Sequence, residues 1–98
     1  KKEKKIVMVL GMMLNKEHEK FIKIFKNNIN SVVVLDIPNQ VNAIKKEKLI
    51  KIVKSVGLKA KTENSIKIAF KNISKKDKNA IIFCTGSLYF VGEILNLN

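Results

Sequence analysis

An α/β domain is the fold class this sequence predicts: a Rossmann-like three-layer arrangement, with a mainly parallel sheet and helices on both faces. Three features predict it. Short apolar runs alternate with segments of helical periodicity, in the order β-α-β-α-β-α-β-α. The runs at 6–10, 31–35 and 80–84 are continuously apolar or nearly so, as strands covered on both faces are. The last run ends in Thr85-Gly86-Ser87, and a helix-forming segment begins at once. A glycine that permits a tight bend, followed by a serine that can cap a helix, is how a parallel strand hands over to its crossover.

The elements follow in order. Residues 1–5 form a solvated basic leader, and Ile6-Val7-Met8-Val9-Leu10 is the first strand, closed by Gly11. Met12, Met13 and Leu14 make an apolar loop without periodicity, expected to pack on something, a neighbouring domain being one candidate. Asn15 is the expected cap of the first helix, with Glu17 and Glu19 in its first turn and Phe21, Ile22, Phe25 and Ile29 on its inner face. Asn27, Asn28 and Asn30 mark its end. Ser31-Val32-Val33-Val34-Leu35 is β-branched and reads as the second strand. The loop 36–42 contains Pro38, which holds Ile37 extended. Residues 45–56 carry the cleanest helical stripe, Leu49, Ile52, Val53 and Val56, and Gly57 is a good residue to stop it. Residues 58–61 alternate, as a short, partly exposed edge strand does. Asn64 or Ser65 starts a third helix with Ile66, Ala69, Phe70 and Ile73 inside, and a last helix is expected over 87–97.

Length and composition bound the function. The 98 residues suffice for one domain with one modest core, and an apolar fraction of 46% is too high for disorder. No apolar run approaches the ~20 residues of a membrane span, so no membrane partner is expected. The basic-then-apolar start imitates a signal peptide, but no small-residue cleavage site follows, and Asn15-Lys16-Glu17 is strongly polar. Without an initial Met, the chain reads as a piece of a longer protein. The net charge is +12 and every basic residue is Lys. With no Arg for bidentate contacts and few aromatics for stacking, no nucleic-acid partner is expected. Lys, Asn and Ile abound together, as an AT-rich genome encodes. The single cysteine, Cys84, lies inside an apolar strand. It reads as an inert buried thiol in a reducing, cytoplasmic setting.

In a parallel α/β domain, ligands bind beyond the carboxyl ends of the strands, here 11–17, 36–42 and 85–87. Gly86 and Ser87 before a helix suit a carboxylate or phosphate, or simply cap that helix. No serine-hydrolase elbow and no Walker phosphate loop is present. Lys16-Glu17 sits at the ligand edge, where such a pair is either an anion contact or a solvated surface pair. His18 is the only histidine and has no partner at zinc spacing, so it reads as a first-turn surface residue. Asp36 is a carboxylate at a strand end, a weak magnesium signal. No catalytic residue and no metal ligand is assigned.

Three segments carry a resemblance. Gly86-Ser87-Leu88-Tyr89-Phe90-Val91-Gly92-Glu93 is similar to the C-terminal signature of folylpolyglutamate synthase/dihydrofolate synthase, of the Mur ligase superfamily. The stretch Gly11-Met12-Met13-Leu14-Asn15-Lys16-Glu17-His18-Glu19-Lys20-Phe21 resembles that family's strand-loop-helix segment, which usually has Lys-Asp where this chain has Lys16-Glu17. Ile37-Pro38-Asn39-Gln40-Val41-Asn42-Ala43 resembles the loop before its next helix, where members have Asn or Arg at the position of Asn42.

The resemblance implies a Mur ligase C-terminal-domain-like fold lacking its first strand, because the family's Asp-Gly-Ala-His-Asn-Pro motif, which contributes to ATP binding, is not in this chain. It implies one partial glutamate-ligase domain over 1–98, with an N-terminal ATPase domain as its partner. That family joins L-glutamate to the γ-carboxyl of a folate, and in many bacteria also to dihydropteroate. It uses ATP and Mg2+, held mainly by the N-terminal domain. Ser87, Gly86 and Lys16 are implied on the glutamate or anion side of an interdomain cleft, with Glu17 and Asn42 lining it. The chain alone is expected to be inactive. A non-catalytic α/β binding or regulatory module fits the same alternation of elements.

Overall fold

A computed structural model of the chain describes residues 4–87. Four strands, β1 (Ile6–Leu10), β2 (Ser31–Val34), β3 (Lys59–Thr62) and β4 (Ile81–Thr85), form one sheet in the order β3-β2-β1-β4. Every pairing is parallel. The helices are α1 (His18–Phe25), α2 (Lys46–Ser55) and α3 (Ile66–Lys76), with a short 3-10 turn over Lys26–Asn28. The expected last helix lies outside the described residues.

Strand periodicity sorts side chains onto two faces, and each face has its own core. Met8, Leu10, Val32 and Val34 point toward α1 and α2, where Ile22, Leu49 and Val53 meet them. Val9, Val33 and Leu35 point the other way, toward Ile66, Ala69 and Ile73 of α3. The sheet is therefore covered on both sides, and the continuous apolar runs are explained. Met8, Val9 and Leu10 are fully buried, which makes β1 the axis of the molecule. Phe25 bridges the first face, 5.2 Å from Phe21 and 5.1 Å from Phe83 between ring centroids, tying α1 to β4.

Local signals account for most boundaries. Ser65 caps α3, its hydroxyl accepting from the Ile68 N–H at 3.1 Å. Gly57 ends α2 at φ +98°, a backbone conformation that an L residue with a Cβ rarely adopts. β3 lies at the sheet edge as expected, but begins one residue later, because Leu58 is buried in the α1/α2 core as the link from helix to strand. The first helix also starts later than Asn15 suggested. Glu17 holds the N-cap position without a side-chain bond, and His18 opens the helix.

The four strand ends share one rim, and backbone contacts knit it together. Gly86, at φ +124°, sits so close to Gly11 that an added Cβ would land on the Gly11 carbonyl oxygen. The Gly11 N–H points to the Thr85 carbonyl at 3.4 Å. The loop after β1 is zipped to the loop after β2: Leu14 N–H donates to Asn42 O at 2.6 Å, Ile44 N–H to Met12 O at 3.0 Å, and Met13 bridges Ala43 antiparallel. The apolar loop thus packs largely on its own domain. Met12 enters the core at 2% exposure, Met13 is half-buried, and only Leu14 remains outside.

Three changes probe this fold. Gly86→Ala combines a disfavoured φ with a backbone clash and is expected to cost about 2–4 kcal/mol in urea unfolding. Ser65→Ala removes one cap and should cost about 1 kcal/mol. Leu49→Ala, opening a cavity under α2, should cost about 2–5 kcal/mol.

Candidate functional site

The rim beyond the strand ends carries the loops and bends that contain Lys16, Glu17, Asn42, Gly86 and Ser87. Gly86 is seated on the backbone of Gly11, so the bend carrying Ser87 adjoins the start of the 11–17 loop. Ser87 is half-buried and already engaged in an interaction of its own. Lys16 is exposed and has no ion pair among the described residues. Glu17 does not pair with it. Its carboxylate meets Lys20 at 3.0 Å, one turn along α1, where both side chains are largely exposed and the pair contributes little to stability. Asn42 is exposed, and its backbone carbonyl, not its amide, holds Leu14. The rim therefore brings Gly86, Ser87, Asn42 and the Lys16 loop onto one edge, while Glu17 turns to its own helix.

Two rim contacts were hidden from sequence reasoning. Asp36 caps α2 from outside, its Oδ1 accepting from the Lys46 N–H at 2.8 Å. The Lys46 ammonium reaches across the sheet edge to the Glu63 carbonyl and to Asn64 Oδ1, each at 3.1 Å. Lys46 so joins the bend after β2 to the bend after β3. Ten residues separate Asp36 from Lys46, too many for a local capping pattern to announce. Asp36 thus serves as a helix cap.

His18 is not the surface residue its position suggested. It is half-buried, and its Nε2 lies 2.9 Å from the Met13 carbonyl, a distance at which an Nε2–H donates. The ring closes the 13–18 loop. Among the described residues no group of three or more His, Cys, Asp or Glu side chains is placed to hold a metal ion. No helix among them is long and apolar enough to cross a membrane.

Cys84 lies on the α3 face opposite Val9. Burial pushes its thiol above the ordinary value of 9.0. The thiol should therefore react with a disulfide reagent at pH 8 more slowly in the folded chain than in denaturant. Because the folded value is the raised one, the thiol's contribution to stability is complete below pH 9.0 and is lost as pH rises through the folded value. Cys84→Ala should flatten that part of the alkaline decline in urea-unfolding free energy.

Solved structures share this fold. Folylpolyglutamate synthase of Mycobacterium tuberculosis, in a complex with ADP, aligns with a TM-score of 0.80 at 21% identity over 95% of this chain and 23% of that one. The same enzyme, from structures with ADP and AMPPCP, aligns at 0.79 and 19% identity, with the same coverage of each chain. Folylpolyglutamate synthase of Thermotoga maritima aligns at 0.78 and 17% identity, over 96% of this chain and 21% of that one. The chain thus spans under a quarter of the length of these enzymes, and at such identities the likeness is one of fold. No curated protein matches the chain. The family model described as "Mur ligase, glutamate ligase domain" matches residues 1–88, nearly the whole chain, and the chain belongs to that family.

Proposed function

We propose that residues 1–98 are the C-terminal, glutamate-side domain of an ATP-dependent amide ligase that joins L-glutamate to a folate, and to dihydropteroate where one enzyme performs both steps. Its partner is an N-terminal ATPase domain of the same cytoplasmic enzyme, and the 98 residues alone are inactive. One observation carries the reading. Gly86 rests on the Gly11 backbone, so Ser87 and the Lys16 loop share the rim at which parallel α/β domains take ligands. Membership of a glutamate ligase domain family supports the substrate class.

In this reading ATP and Mg2+ are held mainly by the partner domain, and this domain's residues do the rest. Lys16, without a counter-ion among the described residues, offsets the charge of an anionic substrate at the mouth of the cleft. Ser87 and the Gly86 bend hold the glutamate side in position for its amine to react. Asn42 and Glu17 line the approach. The ties of Lys46 and Asp36 keep the rim loops in place, so that positioning does not have to be restored at each turnover.

The test is made in a two-domain enzyme carrying this domain. Glutamate-dependent, folate-dependent release of ADP and phosphate is expected, and its absence would overturn the ligase reading. Ser87→Ala should raise the KM for glutamate about tenfold or more, as loss of a hydrogen bond to a charged group does. Unchanged KM and kcat would remove Ser87 from the site while leaving the ligase reading intact.

A further inference from the structure

A groove of about 380 Å³ opens on the α3 side of the sheet, at the edge opposite the rim. Its lining comes from the residues where strands begin, before β1, β2 and β4 and along β3, and from the last turns of α3. The groove exists because β3 stands beyond the cover of α3. Its residues on that face, Lys59 and Lys61, are exposed, while Ala60 on the other face packs against the α1/α2 core.

The floor is apolar, formed by Val7, Val33, Ile73 and Ala80. The walls carry Lys5, Lys59, Lys61 and Lys76. Lys61 is 3.4 Å from Glu63, but Lys5, Lys59 and Lys76 have no ion pair among the described residues. The single acid in the lining, Asp77, accepts the Asn79 N–H at 3.0 Å. Lysines on an edge strand ordinarily serve to discourage unwanted strand pairing. That accounts for Lys59 and Lys61. It does not account for Lys5 and Lys76, which lie off the strand and line the same apolar floor. Uncompensated ammonium groups around a concave, low-dielectric surface raise the local concentration of anions. An apolar floor adds selection for an anion with a hydrophobic body.

We infer that this groove binds a small organic anion, an apolar or aromatic body bearing phosphate or carboxylate, at a position separate from the rim. The inference does not rest on the ligase reading. Its probes are 1-naphthyl phosphate, 1-naphthoate and inorganic phosphate, titrated into the isotope-labelled chain and followed by backbone amide shifts. Binding of a naphthyl compound should move Val33, Lys59, Lys61 and Ile73, with an affinity at least about tenfold above that of inorganic phosphate. Of the two naphthyl arms, the tighter one identifies the head group, and either preference supports the site. Lys59→Gln together with Lys76→Gln should weaken binding about tenfold, whereas Lys16→Gln on the rim should leave it unchanged. The inference is overturned if neither naphthyl compound binds, or if inorganic phosphate binds as tightly. Shifts confined to the rim, or equal losses in the rim and groove variants, would also overturn it.

Discussion

The close approach of Gly86 to Gly11 is the constraint on which the rim depends. β1 is buried on both faces and hydrogen-bonded on both edges, so its end cannot move without disturbing two cores. The bend after β4 is laid directly on that end, with no room for a Cβ between the two backbones. The loop after β1 then carries the loop after β2 through the Leu14–Asn42 and Ile44–Met12 bonds. The Lys46 side chain extends the connection to the bend after β3. Four bends that are far apart in sequence become one surface by successive short contacts, each referred back to the fixed end of β1.

Much of this was legible in the sequence. Unbroken runs such as Val32-Val33-Val34 can be buried on two faces only in a covered sheet, and the Leu49/Val53 stripe can be satisfied only by a helix lying on it. Ser65 and Gly57 work through chemistry confined to one turn, so their roles are visible in a short window. The misplacements share a physical cause. α1 starts without a capping side chain, and the His18 ring instead ties its first residue back to the Met13 carbonyl, which nothing in Asn15-Lys16-Glu17 reveals. Leu58 alternates like a strand residue but is buried before the strand begins, because the chain must first turn from α2 onto the sheet. At the site, the positions of the bends followed from topology alone. The partners of Asp36, Lys46 and Gly86 did not, since each is a tertiary contact with no local signature.

The lysine content acquires two physical meanings in the structure. The ion pairs Lys20–Glu17 and Lys23–Glu19 are exposed, and pairs of that kind contribute at most fractions of a kcal/mol, about 0.3–0.5 on a helix surface. Lys46 acts differently. It donates to a carbonyl and an amide oxygen, retains its charge, and orders two loops. With 20 basic residues against 8 acids, most ammonium groups cannot find a carboxylate.

That argument separates the two edges of the sheet. At the rim, Glu17 is drawn to Lys20, so the charge of Lys16 is not cancelled by its sequence neighbour. The helical spacing that favours Glu17 with Lys20 thus leaves Lys16 without an ion pair among the described residues. At the opposite edge, Glu63 takes up Lys61, and the three remaining lysines face an apolar floor with only Asp77 among them. Helix and strand geometry decide which lysines are neutralised, and among the described residues the pattern left over leaves unpaired ammonium groups at both ends of the same parallel sheet.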